Sequence, residues 1–279
     1  MRLALIGDVH EQWTAADTAW FNASDYDGIL LTGDLPGRRH STLVAVGTRI
    51  AGLRKPAVMI PGNHDGPTIL GILREALTGR PQSLASAQRM ESRVRALESV
   101  LGDVALGGYS LHRVGKGREA VDVICCRPHA MDGRLLTFGT YLAMRFSVTD
   151  LAASTARLQA LVEASAKPIV FLAHNGPSGL GAHPTAPWGL GLWGRDNGDT
   201  DLRAAVEYAQ QRGKAVAAVV AGHMHWRTAR ARTWQLRRDG VLYINAARVP
   251  RIQRGTRHHI ALQIEAGHAV CEAMQITES

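Results

Sequence analysis

The feature that most constrains the fold is a series of short apolar runs that lead directly into Gly, Asp, Asn or His. These runs cover residues 3–6, 29–31, 57–60, 169–173 and 216–221. Because the runs are continuously apolar rather than alternating, they predict strands buried on both faces. Two further strands are expected over 241–247 and 259–264. The pattern therefore predicts strands in the centre of a mixed α/β fold.

Helices are predicted between the strands, where apolar residues recur at three- and four-residue spacing. These stripes begin at Leu43, Leu84, Leu151 and Leu202. Ser41 is the expected N-cap of the first helix, and Gly213 is expected to end the last. The stripe from Leu84 to Leu101 predicts an inserted helical segment around residues 66–105.

The length of 279 residues and a hydrophobic content of 46% predict one domain over residues 1–279. Segment 176–199 is rich in glycine and proline and follows a polar strand end, so it is expected to be a long active-site loop. Its Trp188 and Trp193 are expected to pack the loop against the domain, and the alternative is that they stack on a substrate base or close over the site.

The net charge of +8 favours an anionic substrate such as a phosphate ester, a nucleotide or a nucleic acid. No apolar run approaches the roughly 18 residues of a membrane span, and no membrane partner is expected. Cys125, Cys126 and Cys271 form no even disulfide framework, and the first two are expected to serve packing. A cytoplasmic location is therefore expected.

Metal-binding side chains follow five of the apolar runs, at the strand ends where ligands collect in α/β sheets. These residues are Asp8, His10, Asp34, Asn63, His174, His223 and His225. The set is too large for one ion and favours borderline divalent metals such as Mn, Fe, Zn, Co or Ni, with Mn preferred. Two ions about 3.5–4 Å apart, bridged by a carboxylate and a hydroxide, would use every ligand. Asp34 is the candidate bridging carboxylate.

Taken together, five sequence blocks resemble the calcineurin-like metallophosphoesterase superfamily. The blocks are Asp8-Val9-His10, Gly33-Asp34, Gly62-Asn63-His64-Asp65, the single His174, and Gly222-His223-Met224-His225. The resemblance implies a four-layer α/β/β/α sandwich.

The resemblance also implies a role for each matching residue. Asp8, His10 and His225 would bind one metal. Asn63, His174 and His223 would bind the second, and Asp34 would join both. His64 would be the catalytic residue, since it would hydrogen-bond the phosphate or protonate the leaving alkoxide.

The second block departs from the pattern of many relatives, which have a further Asp shortly after Gly-Asp-Leu. This chain has Leu35-Pro36-Gly37-Arg38-Arg39-His40 at that place. Asp65 is therefore the remaining acid that could orient His64, and capping of the following turn is the alternative role for it. Arg38 and Arg39 are expected either to bind a substrate phosphate or to lie on a solvated surface.

The remaining histidines are expected to be surface or core residues rather than ligands. They are His112, His129, His183, His258, His259 and His268. The arginine-rich C-terminal part is expected to be an ordinary basic surface, with nucleic-acid binding as the less favoured alternative. It contains Arg227, Arg230, Arg232, Arg237, Arg238, Arg251, Arg254 and Arg257, near Trp226 and Trp234.

The leading functional hypothesis is hydrolysis of a small phosphomonoester or phosphodiester by a metal-bridging hydroxide. A metal-dependent nuclease that uses the arginine-rich part is the first alternative. A non-catalytic interaction scaffold of the same fold is the second, and it is disfavoured because every ligand type is present. The sequence predicts neither the substrate nor the oligomeric state.

Overall fold

The computed structural model describes residues 1–37, 40–78, 81–183, 185–189, 195–225 and 233–276. The strands are β1 (Arg2–Ile6), β2 (Gly28–Leu31), β3 (Ala57–Met59), β4 (Ala105–Leu106), β5 (Ser110–Val114), β6 (Val121–Cys125), β7 (Ile169–Leu172), β8 (Val216–Ala221), β9 (Gln235–Arg238), β10 (Val241–Asn245), β11 (Ile252–Gln253), β12 (Thr256–Glu265) and β13 (His268–Ile276). The helices are α1 (Ala15–Ala23), α2 (Leu43–Ile50), α3 (Ile69–Thr78), α4 (Leu84–Glu98), α5 (Gly139–Phe146), α6 (Leu151–Ala164) and α7 (Thr200–Gln211).

The strands form two mixed sheets. The first has the order β11-β12-β1-β2-β3-β4, and β13 also pairs with β12. Within it β1 to β4 are parallel, whereas β12 runs antiparallel to β1. The second sheet has the order β5-β6-β7-β8-β10-β9, with parallel inner strands and antiparallel edge strands. Parallel neighbours bring their carboxyl ends, and the loops that follow them, to one edge of each sheet.

Strands β1, β2 and β3 of the first sheet are buried on both faces, as the continuous apolar runs predict. In β1, Leu3 and Leu5 belong to a core that also contains residues of the second sheet, such as Phe171. Ala4 and Ile6 belong to a separate core with apolar residues of α1 and α2. Successive residues of a strand alternate between faces, so β1 packs on the second sheet with one face and on helices with the other. The predicted sandwich of two sheets with helices is confirmed.

Two details of the helix predictions are wrong. The N-cap of α2 is Thr42 rather than Ser41, because residues His40–Thr42 form a short 3-10 helix before it. Leu84 begins α4 but is 60% exposed, and the buried face of that helix consists of Ala87, Met90, Val94 and Leu97. Helices α3 and α4 lie in the segment around 66–105, and its origin as an insertion stays a prediction.

The predictions for Gly213 and for the adjacent cysteines agree with the structure. Gly213 follows the C-cap of α7 with a φ of +67°, a left-handed conformation that ends a helix at low cost for glycine. Cys125 and Cys126 are buried, and burial raises the pKa of the Cys125 thiol to about 12, in agreement with a packing role. None of the helices in the described ranges has the length and hydropathy needed to cross a lipid bilayer.

Candidate metal centre

The predicted ligands lie on five loops at the carboxyl ends of parallel strands. Asp8 and His10 follow β1, Asp34 follows β2, Asn63 follows β3, His174 follows β7, and His223 and His225 follow β8. The first three loops belong to one sheet and the last two to the other. The two sheets therefore contribute to one site at their shared edge.

The side chains form two overlapping groups of metal-binding atoms. Potential ligand atoms of Asp8, His10 and His225 lie within 4.8 Å of one another, and the same limit holds for Asp8, Asp34 and His174. Asp8 thus belongs to both groups. The resemblance assigns the bridging position to Asp34 instead, and that assignment stays a prediction.

The remaining predicted ligands lie beside the second group. The Oδ1 atom of Asn63 is 2.8 Å from Nε2 of His174, and the ring centroids of His174 and His223 are 5.1 Å apart. On the opposite side the rings of His10 and His225 have their centroids 5.2 Å apart. All seven predicted ligands are therefore found around one pocket.

The histidine ring orientations fit a metal site. Nδ1 of His174 lies 2.7 Å from the carbonyl oxygen of Thr32, so this nitrogen is placed to donate its N–H there. Nε2 then faces two oxygen acceptors, Asn63 Oδ1 at 2.8 Å and Asp34 Oδ2 at 3.6 Å. A cation satisfies such converging lone pairs, and a carbonyl on the second ring nitrogen is the usual way to orient a metal-binding imidazole.

His10 repeats this arrangement. Its Nδ1 lies 3.3 Å from the carbonyl oxygen of Pro36, whereas its Nε2 is buried with no hydrogen-bond partner among the described residues. A buried imidazole nitrogen without a partner is unfavourable unless another group binds it. The donor set of imidazoles, carboxylates and one carboxamide therefore fits borderline divalent metals.

The electrostatics of the carboxylates depend on the surrounding histidines. Burial raises the pKa of Asp34, but His174, His64 and His10 together with the backbone N–H of His64 outweigh it and bring the pKa to about 2. Burial also raises the pKa of Asp8, and there it prevails over the attraction of the same imidazoles. Burial alone would lower the pKa of His174, yet Asp34 and Asp8 raise it. The carboxylates of Asp34 and Asp8 thus favour a positive charge beside them, as the raised pKa of His174 shows.

Two glycines allow the loops to approach the ligands. A Cβ atom at Gly62 would lie 2.2 Å from Asp34 Oδ1, and one at Gly222 would lie 2.1 Å from Asp8 Oδ1. Both distances are far below van der Waals contact. The two glycines next to Asn63 and His223 therefore leave the space that the carboxylates occupy.

The backbone at three predicted ligands is left-handed. The φ angles are +42° at His10, +50° at Asp34 and +68° at His223. This conformation is uncommon for residues with side chains, and it concentrates at functional sites. The tight turns direct these three side chains into the pocket.

His64 lies at the edge of the site. Its backbone N–H donates to Asp34 Oδ1 at 2.7 Å, and its half-buried ring has its centroid 5.7 Å from that of His10. The imidazole is therefore next to the metal-binding side chains and still accessible from the solvent.

Asp65 has a role that the sequence did not predict. Among the described residues its carboxylate accepts backbone N–H groups from Gly62, Asp34 and Leu35, at 2.6, 2.8 and 2.7 Å. It neither caps the turn that follows nor binds the His64 ring. Asp65 instead joins the loop after β2 to the loop after β3.

Two further residues contact the ligand loops: Thr32, to which the sequence assigns no role, and His129, which is a core residue within the range of its prediction. Thr32 donates from Oγ1 to Asp8 Oδ1 at 3.0 Å. His129 is buried, and its Nδ1 lies 2.6 Å from the carbonyl oxygen of Gly62. His129 follows β6, at the same edge of the second sheet as His174, and this position at a strand end was the available signal.

Other predicted candidates have varied outcomes. Trp188 is 2% exposed, which confirms packing rather than stacking on a substrate. Arg251 and Arg257 both donate to Asp17 inside the domain. Several candidates lie outside the described residues, namely Arg38, Arg39, Trp193, Trp226, Arg227, Arg230 and Arg232.

Comparison with known proteins identifies the family. The family model of calcineurin-like phosphoesterases matches residues 1–227. Among curated proteins, none matches the chain.

Solved structures share the fold. The structure of TT1561 from Thermus thermophilus is 13% identical, with a TM-score of 0.56 and 97% of each chain covered. A dimetal phosphatase from Danio rerio is also 13% identical, with a TM-score of 0.51 and coverage of 100% of this chain and 99% of its own. At these identities the likeness extends to the fold alone. Because the family model spans most of the length of this chain, the chain belongs to the calcineurin-like phosphoesterase family.

Proposed function

We propose that the chain hydrolyses a small phosphomonoester or phosphodiester with two divalent metal ions. The observation that carries the proposal is the convergence of seven metal-binding side chains on one pocket, with the His64 imidazole beside them. Family membership supports a phosphoester substrate. A dimetal phosphatase among the structures with the same fold agrees with a two-metal centre.

Each side chain has a proposed role. Asp8, His10 and His225 would hold one metal, and Asn63, His174 and His223 would hold the other. Asp34 would contact both. Bound cations of this kind supply Lewis-acid charge at the phosphoryl group and lower the pKa of a water nucleophile. Mn is the preferred candidate metal because the ligand set mixes nitrogen and oxygen donors.

His64 is the proposed catalytic residue. Its backbone is fixed by Asp34, so the ring is held at the rim of the pocket rather than on a free loop. From there the imidazole would donate a hydrogen bond to a phosphoryl oxygen or a proton to the departing oxygen. General acid catalysis by a positioned histidine typically contributes about 10²–10⁴-fold to the rate.

A small substrate is favoured over a nucleic acid. Two arginines of the C-terminal part, Arg251 and Arg257, form ion pairs with Asp17 and are therefore not free to follow a nucleic-acid backbone. Electrostatic binding along a polymer needs several exposed cations.

The proposal is tested with chelator-treated protein that is reloaded with Mn. We expect turnover of p-nitrophenyl phosphate or bis-p-nitrophenyl phosphate that disappears with the chelator. His64→Ala should lower kcat by about 10²–10⁴-fold while Mn binding is kept. His268→Ala, at an exposed histidine of β13, is the matched control and should behave as the native protein. A metal-loaded native protein that is inactive on a broad panel of phosphoesters would contradict the proposal.

A further inference from the structure

Residues 185–189, called the strap here, lie against the turn that carries His223 and His225. Trp188 Nε1 in the strap donates to the carbonyl oxygen of Gly222 at 3.2 Å. Asn245 Nδ2 donates both to Pro187 of the strap at 2.7 Å and to Met224 of the turn at 3.0 Å. Gly222 directly precedes His223, and Met224 separates the two histidines. The strap is therefore hydrogen-bonded, directly and through Asn245, to the backbone that positions both rings.

Arg248 joins the same two segments. It is 3% exposed, and its Nε donates to the carbonyl oxygen of Met224 at 3.3 Å. Its Nη atoms donate to Ala186 at 2.9 Å, to Thr233 at 2.8 Å and to Gly189 at 2.6 Å. A planar guanidinium with five N–H donors suits such converging carbonyls, and an ammonium group with three donors on a flexible stem does not.

No carboxylate in the described part of the chain hydrogen-bonds the Arg248 guanidinium. A buried charge is costly unless other groups compensate for it, and here backbone carbonyl dipoles are the compensation. Burial lowers the pKa of Arg248, in agreement with this environment. The compensation exists only while the strap and the turn keep their relative positions. Arg248 therefore couples the geometry of one segment to that of the other.

Trp188 extends the coupling to a second ligand loop. A Cβ atom at Gly176 would lie 2.3 Å from the indole ring, so the ring packs directly on the backbone two residues after His174. The same indole donates to Gly222, next to His223. Trp188 thus lies between the loop after β7 and the turn after β8, and it sets their separation.

We propose that the strap, together with Asn245 and Arg248, positions His223 and His225 for metal binding. The residues of this assembly are positioning residues rather than ligands. The inference rests on the metal centre of the proposed function. It adds that Mn affinity depends on a buried arginine that carries no ligand atom.

The test compares Mn binding by three chelator-treated proteins, namely native, Arg248→Lys and Arg251→Lys. Calorimetry and the electron paramagnetic resonance signal of free Mn both report binding without turnover. We expect Arg248→Lys to bind Mn about 10–100-fold more weakly, the usual loss when an outer partner of a metal ligand is changed. Arg251 is equally buried, but it donates to Asp17 and His258. Arg251→Lys should keep native Mn affinity.

Trp188→Phe is a milder second variant, because it keeps an aromatic ring and removes the N–H that binds Gly222. It should also weaken Mn binding, by less than Arg248→Lys. If Arg248→Lys does not fold, the Mn affinity of Trp188→Phe tests the inference instead. Native Mn affinity in a folded Arg248→Lys or Trp188→Phe protein overturns the inference, and so does an equal loss in Arg251→Lys.

Kinetics separate this inference from the proposed function. At saturating Mn, Arg248→Lys should regain most of the native kcat, since its defect lies in metal binding. Native protein that binds two Mn ions and hydrolyses no phosphoester contradicts the proposed function and leaves the positioning role open to the binding test. If the native protein hydrolyses phosphoesters and Arg248→Lys binds Mn as tightly as the native protein does, only the positioning role is contradicted.

Discussion

The carboxylate of Asp65 binds the backbone of Asp34: Asp65 Oδ2 accepts the N–H of Asp34 at 2.8 Å, although 31 residues separate them. The same carboxylate accepts the N–H groups of Leu35 and Gly62. Asp65 is completely buried. One side chain therefore holds together two loops that carry predicted metal ligands, independently of any metal.

Asp65→Asn should destabilise the protein. The variant replaces one of two acceptor oxygens with an N–H₂ group, so at least one buried backbone N–H loses its partner. Leaving a buried donor unsatisfied costs about 1–3 kcal/mol. We expect a loss of this size in the free energy of unfolding, measured in urea with chelator present.

The matched control for this substitution is Asp150→Asn. Asp150 is the exposed N-cap of α6 and accepts the N–H of Ala153 at 2.7 Å. Asn and Asp are about equally good N-caps, so this variant should unfold at nearly the native urea concentration. Equal stability of the two variants would show that the buried carboxylate does not hold the loops.

His174→Ala should remove one metal and leave the other. His174 contributes Nε2 between Asn63 and Asp34, whereas His10 and His225 lie on the other side of the pocket. We expect the Mn content to fall from about two ions per chain to about one. Activity should fall by more than the about 10–100-fold that is typical when a hydrogen-bond partner of a metal ligand is removed. Elemental analysis after desalting measures the content.

The Mn content can also contradict this assignment of His174. Full retention of two Mn ions in His174→Ala would remove this residue from the ligand set. His183→Ala, at an exposed histidine of the loop that follows, serves as the control and should keep both ions.

Gly62→Ala should disrupt the site through one methyl group. The new Cβ atom would lie 2.2 Å from Asp34 Oδ1 and 2.5 Å from His174 Cε1. Overpacking of a filled interior costs about 1–3 kcal/mol, and the displaced carboxylate should also weaken Mn binding. Thermal unfolding and calorimetric titration with Mn measure the two effects.

Gly139→Ala tests whether this effect is local. Gly139 begins α5, and a Cβ atom there would lie 3.5 Å from the nearest atom, an ordinary contact. Alanine is the better helix former, so this variant should be as stable as the native protein or slightly more so. A Gly62→Ala protein with native stability and Mn affinity would show that the loop yields at no cost.

Much of the site could be predicted from sequence because its ligands share one local signal. Each follows an apolar run, and parallel strands place such positions at one edge. Asp8 and His223 were identifiable in this way although 215 residues separate them. The strand pattern likewise predicted the two-sided burial of β1.

The supporting residues carry no such local signal. Arg248 acquires its role from carbonyl groups of three separate segments, and Asn245 from two. These partners are backbone atoms, which any sequence provides, so only the folded chain shows where they converge. Asp65 was singled out but misassigned for the same reason, since its partners are backbone N–H groups.

His259 lies in an aromatic environment away from the metal centre. Its Nε2 is 2.7 Å from the hydroxyl of Tyr26, and the rings of Trp20 and Phe21 contact its edge or face. Burial, together with a smaller contribution from nearby positive groups, lowers the pKa of His259 to about 3. The charged and titratable groups around it are Arg251, Arg2, His258 and Tyr26.

This lowered pKa should make stability depend on pH. The unfolded chain protonates His259 near its ordinary pKa of about 6.5, whereas the folded chain resists protonation down to about 3. Between these values the unfolded state binds more protons, so the stabilisation is complete above pH 6.5 and declines as the pH falls. The slope contributed by one group is at most about 1.4 kcal/mol per pH unit.

His259→Gln should remove this dependence, because an amide can still hydrogen-bond Tyr26 and does not titrate. We expect the native protein to lose stability relative to the variant as the pH is lowered from about 6.5, when urea unfolding is followed at several pH values. His268→Gln, at an exposed position of β13, should follow the native curve. Parallel curves for the native protein and His259→Gln would mean that His259 titrates alike in the folded and unfolded chain.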